Sequence, residues 1–158
     1  MSTVEDGFFG PRIVNPSFGG GSNDKLWRGH IQMYVDSELK NEWLDRLNAI
    51  PGVAISSLCA GGREHSSDSP QILFHHGHAK NWPASKKEAY RLLVLGLFSG
   101  LGSIGMIDQS DSSMCRIAFM LTASKTRLLM TDEDFDGWWS AVIETLEGLP
   151  AVIPVELT

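Results

Sequence analysis

Four of the five histidines, one of the two cysteines, a Gly-Gly pair and an arginine fall within a single stretch, VAISSLCAGGREHSSDSPQILFHHGH, residues 53–78. Several kinds of chemistry can be built from such residues. In Cys59-Ala60-Gly61-Gly62-Arg63 the small residues let a ligand approach the backbone, while the N–H groups and the guanidinium suit an anion or a carboxylate. The alternative is a plain glycine-rich turn. Histidine is the side chain whose ordinary range lies nearest neutrality, so His75 is a candidate general base. Cys59, His65, His75, His76 and His78 are all metal-ligand types, but their spacing matches no standard zinc motif. On a strand His76 and His78 would share a face and His75 would point away, so they converge poorly on one ion. No Asp or Asn is spaced to orient a histidine beside Cys59, so a cysteine nucleophile is not expected.

A ligand site of this kind needs a scaffold, and 158 residues suffice for one domain with a sizeable core. No apolar run reaches the ~18 residues of a membrane span. The N-terminus, MSTVEDGFFGPRIV, carries two acids before its first base and does not read as a secretory signal, so the cytoplasm is expected. There Cys59 and Cys115, far apart in sequence, would stay reduced. The net charge of -6 argues against broad coating of nucleic acid. Bases (Arg63, Lys80, Lys86, Lys87, Arg91) outnumber acids (Glu64, Asp68, Glu88) in the middle of the chain, whereas acids dominate from Asp108 onward. A local positive face toward an anionic ligand is one reading of this asymmetry; solvated helix faces are the other.

Residues 1–24, with FGPR and NPSFGGGSN, read as a flexible N-terminal arm that folds back or reaches a second copy through Phe8, Phe9 and Phe18. Residues 25–158 read as a single α+β domain. Alternation predicts strands at 30–35, 53–58, 71–76, 104–109 and 115–122, the last two joined as a hairpin through Ser110-Asp111-Ser112-Ser113, with a further short strand at 128–130. Helical spacing predicts helices at 37–50, 86–98 and 132–147. Asp36 is the expected cap of the first and Pro51-Gly52 its stop; a Ser85–Glu88 capping box opens the second and Thr131 with Asp134 the third. Along the third, Phe135, Trp138, Trp139, Val142, Ile143, Leu146 and Leu149 recur on one face. Trp138 and Trp139 are therefore read as core, with base stacking as the alternative. The order β-α-β-β-α-β-β-α predicts a mainly antiparallel sheet with three helices packed on one face.

Several of these pieces, in order, resemble a known family. WLDRLNAIPGVAISSLCAGG, a strand ending in Phe74-His75, SGLGSIGM, and RLLMTDEDFDGWWSAVIETLE resemble the wyosine-pathway tRNA methyltransferases known as wybutosine-synthesising enzyme three, over about residues 38–147. Ser57-Leu58-Cys59-Ala60-Gly61 matches the family's Ser-Ser-Cys-(Ser/Ala)-Gly-Arg loop except at its second Ser and final Arg. Ser99, Gly100 and Gly105 echo a Ser-Gly segment. The resemblance implies S-adenosylmethionine as methyl donor, a tricyclic modified guanosine of tRNA as acceptor and His75 as base. The expected site gathers Ser57, Cys59, Ala60, Gly61, Gly62, Arg63, Ser99 and Gly100 with His75 around one pocket.

The chain departs from that pattern at three places. Gly62 stands at the loop arginine, Leu101 and Gly102 replace a basic residue, and a strand-helix block is shortened to residues 79–84. The alternative expectation is therefore a non-catalytic protein that binds or sequesters a nucleotide-like small molecule with the same loop.

Overall fold

The computed structural model describes residues 38–154 except 64, 66, 77 and 78. The expected arm at 1–24, the strand at 30–35, the Asp36 cap and His78 lie outside the described residues. Four strands, β1 (Val53–Cys59), β2 (Gln71–His76), β3 (Ser103–Gln109) and β4 (Arg116–Thr122), form one sheet in the order β1-β2-β4-β3. Every pairing is antiparallel. Three helices, α1 (Asn41–Asn48), α2 (Ala84–Phe98) and α3 (Asp132–Val152), share one core with one face of the sheet. This is the expected α+β architecture. Among the described residues no helix is long and apolar enough to cross a membrane.

Alternation in the strands explains which face is buried. Ile72 and Phe74 on β2 and Ile117, Phe119 and Leu121 on β4 point to the helices, each almost wholly buried. Phe74 packs against Phe98 of α2 at 5.1 Å and Phe119 of β4 at 5.9 Å. On β1 the spacing departs from two, because a bulge between Ile55 and Ser57 inserts one residue. The bulge lets Ile55 and Leu58, three apart in sequence, face the same core opposite Phe74 and Ile72. It also turns both Ser56 and Ser57 away from that core.

The helices follow their periodicity more closely than their expected caps. Phe135, Trp139, Val142, Ile143, Leu146 and Leu149 form the buried stripe of α3, and Trp139 stacks on Trp43 of α1 at 6.1 Å. The Thr131–Asp134 capping box is present, with each side chain accepting from the other residue's N–H. α3 runs past Gly148 through Pro150, because burial of Leu149 and Ile153 holds the last turn. α1 is shorter than expected and begins after Lys40. The Ser85–Glu88 box does not form. α2 starts two residues earlier, at Ala84, with Pro83 at the cap, where its carbonyl accepts from Lys86 and Lys87. A proline there brings no N–H to satisfy, and Glu88 turns instead to Arg91, at 2.9 Å. The expected strand at 128–130 is a 3-10 turn, Arg127–Leu129, closed by Arg127 Nη1 donating to the Met130 carbonyl at 3.1 Å.

The hairpin between β3 and β4 is held by Asp108. Its Oδ1 accepts from the Ser110 hydroxyl at 2.6 Å and the Ser110 N–H at 2.9 Å, and Lys87 Nζ lies 3.0 Å from Oδ2. The hydroxyl and N–H of Ser110, followed by Lys87, pull the Asp108 carboxyl down to about 2. The folded value lies below the ordinary ~3.9, so the stabilisation is complete above that pH and is lost as pH falls toward 2. Urea denaturation between about pH 4 and pH 2 should show a shallower loss of stability in Asp108→Asn than in the wild type. Equal slopes would remove Asp108 from the acid response.

Candidate functional site

Antiparallel pairing brings one row of residues, Cys59, Gln71, Thr122 and Ser103, side by side across the whole sheet. The loop 60–70, the segment 99–102 and the loop 123–131 all leave the sheet at this row. The glycine loop and the Ser99-Gly100 turn are therefore at one end of the sheet, as the expected site requires. They leave from the two outer strands, however, which at ~4.8 Å per strand step stand about 14 Å apart. The loop 123–131 runs between them, tied to the glycine loop by Ala123 N–H to the Pro70 carbonyl at 2.9 Å and Arg127 N–H to the Asp68 carbonyl at 2.8 Å.

Two clefts result. The larger, about 350 Å³, opens beside Gly100 and is walled by Leu101, Met130 and Trp138, with Lys125 at its edge and Gly137 in α3. Trp138 is half-buried, donates Nε1–H to the Leu101 carbonyl at 2.7 Å and meets Trp139 edge-on at 4.8 Å, so its ring is locked as a flat wall. Lys125 is exposed and loosely paired with Asp134 at 3.9 Å, while the Asp134 carboxylate also caps the helix. Ser99 is exposed next to Gly100.

The smaller cleft, about 200 Å³, is lined by Gly62, Arg63, Asp68, Thr126 and Leu128. Gly61 and Gly62 take φ of 86° and 136°. A Cβ on Gly61 would stand 2.6 Å from the Ser69 carbonyl carbon, so glycine is required for the loop to lie this close to its return. Ala60 and Cys59 are buried beneath the loop, Cys59 with Sγ 3.9 Å from the Ser67 carbonyl. Neither Cys59 nor Cys115 is in a disulfide.

The expected grouping of His75 with this loop does not hold. His75 lies four residues along β2 from Gln71, about 13 Å from the loop end of the sheet, and on the face away from the helices. There it is wholly buried between the register partners Ala54 and Ala118, and it lines neither cleft. Arg116 Nη1 lies 3.3 Å from its Nδ1. A guanidinium cannot accept, so in this contact Nδ1 is the acceptor. Arg116 also donates to Gln109 Oε1 at 2.6 Å and Ser56 Oγ at 3.0 Å, and burial lowers its pKa. His75 thus belongs to a buried polar network that includes Ser56, Gln109 and Arg116, residues not singled out by spacing. Ser57, half-buried after the bulge, likewise lines neither cleft. Among the described residues no three His, Cys, Asp or Glu side chains come together as a metal site.

Fold and site define an antiparallel α+β domain with two ligand-sized clefts at one end of its sheet and a buried Arg-His network toward the other. Compared with models of protein families, with curated proteins and with solved structures, the chain matches none.

Proposed function

We propose that this protein binds a nucleotide-like or adenosine-like small molecule, S-adenosylmethionine among the candidates, in the larger cleft, without turning it over. The observation that carries the reading is the Trp138 ring, locked by its bond to Leu101 as one wall of a 350 Å³ cleft with an exposed lysine at the edge. Ligand pockets are concave and mainly apolar, with a few polar groups that fix orientation, and volumes of about 300 Å³ upward accommodate ring-sized ligands. A planar base stacks on such a ring, and Lys125 supplies charge for a phosphate or carboxylate.

Methyl transfer to tRNA, the activity implied by the family resemblance, would require a base near the bound donor. His75 is buried about 13 Å along the strand from the loop row, which favours binding over catalysis. Asp132 and Glu133 are exposed on the first turn of α3 and would oppose a polyanion there. The reduced state of both cysteines is consistent with a cytoplasmic location, which we propose with it.

Titration calorimetry with S-adenosylmethionine and a panel of free nucleotides tests the reading. One ligand should bind in the micromolar range or better and lose about tenfold in affinity in Lys125→Glu. Gly137 supplies the sharper control: a Cβ there meets nothing within 4 Å, so Gly137→Leu should fill the cleft without straining the helix and abolish binding. Absence of binding by every ligand, or binding unchanged by Gly137→Leu, refutes the proposal. Incorporation of methyl groups into tRNA, followed by mass, would replace it with the enzyme reading.

A further inference from the structure

The smaller cleft shares no lining residue with the larger one, and two opposite charges line it. Arg63 and Asp68 are both exposed and both line it. Among the described residues neither forms an ion pair, with the other or with any third group, whereas Arg46, Arg91 and Arg127 are each paired with a carboxylate. Opposite charges that share a cleft yet stand too far apart to neutralise one another match a ligand that carries both signs. Their positions are held by the backbone. Gly61 lies against Ser69 and Pro70, Gly62 N–H donates to the Ser67 carbonyl at 3.1 Å, and the Asp68 carbonyl accepts from Arg127 N–H at 2.8 Å.

We propose that this cleft binds the α-amino-carboxylate group of an amino acid. Arg63 presents its fork of N–H donors to the carboxylate, for which a guanidinium is suited, and Asp68 accepts from the ammonium. Thr126 adds a hydroxyl, and Leu128, 69% exposed, offers apolar surface to a short aliphatic side chain. Size sets the limit: about 200 Å³ suits a free amino acid or the amino-acid tail of a larger metabolite, and is too small for a nucleotide.

Amide chemical shifts of the labelled full-length chain, followed during titration with leucine, N-acetyl-leucine, leucinamide and S-adenosylmethionine, test the assignment. Leucine should shift the Gly62, Arg63 and Thr126 amides with a dissociation constant of about 1 mM. The two blocked forms should bind at least about tenfold more weakly, because each leaves one charge of the cleft unanswered. Arg63→Gln and Asp68→Asn, both at exposed positions, should each weaken leucine about tenfold. A response at these amides to S-adenosylmethionine but not to leucine assigns the site to the tail of a larger metabolite. No shift with either, equal binding of the blocked forms, or indifference to both substitutions overturns the proposal. Gly137→Leu closes only the larger cleft, so loss of binding there and loss of binding here are separate outcomes.

Discussion

Alanine at Gly102 should cost the fold about 3 kcal/mol, lowering the melting temperature by roughly 10 °C. Gly102 links the 3-10 turn Ser99–Leu101 to β3, with φ 146° and ψ -157°, a region that residues with a side chain rarely adopt. The added Cβ would also collide with the backbone carbonyl of Thr122. That carbonyl belongs to β4 at its pairing with Ser103, so it can move only if the ladder moves. Strain and collision act together, and neither is relieved by a rotamer change. Gly105, three residues on and within β3, is the control: its Cβ would meet nothing within 4 Å, and Gly105→Ala should stay within about 0.5 kcal/mol of wild type. Urea denaturation of both variants decides the matter. Similar midpoints would mean that the turn into β3 is not held as described.

Removing the Phe74 ring should be costlier, about 4 kcal/mol for Phe74→Ala. The ring is wholly buried where β2, β4 and α2 meet, against Phe98 and Phe119. Truncation loses its transfer from water and leaves a cavity walled by two other aromatic rings, with the sheet fixing one side and the helix the other. Phe74→Leu keeps most of the volume and should cost about 1 kcal/mol. The difference between the two, read from unfolding free energies at one pH, measures the rigidity of this junction. A loss below about 2 kcal/mol for the alanine variant would show that α2 settles onto the sheet and closes the gap.

The contrast between Phe74 and its neighbour separates what is legible in the sequence from what is not. Alternation along β2 and the three- and four-residue spacing of Phe135, Trp139, Val142, Ile143 and Leu146 are local properties, so β2, α3 and the faces these two bury follow directly from the amino-acid order. The Thr131–Asp134 cap is equally local and is present; the Ser85–Glu88 pattern is as good a match but yields to Pro83, which already starts the helix two residues sooner. The glycine loop, too, is identifiable as a tight backbone approach, since Gly61 could not be any other residue without striking Ser69.

The membership of each site was decided only by the tertiary structure. His75 follows Phe74 in sequence, and strand alternation sends its ring to the opposite face, next to Arg116, which donates to Ser56 across 60 positions. The bulge that turns Ser56 and Ser57 away from the core shifts one residue against the register, and no periodicity announces it. The strand order β1-β2-β4-β3 places the glycine loop and the Ser99-Gly100 turn at the same end but on outer strands, with 123–131 between them. Hence one expected pocket becomes two clefts, and Lys125, Trp138, Asp68 and Thr126 enter them from segments far apart in the chain. Periodicity acts over a turn or a strand pair of residues, whereas loops become neighbours through sheet register and helix packing, which depend on the whole chain at once.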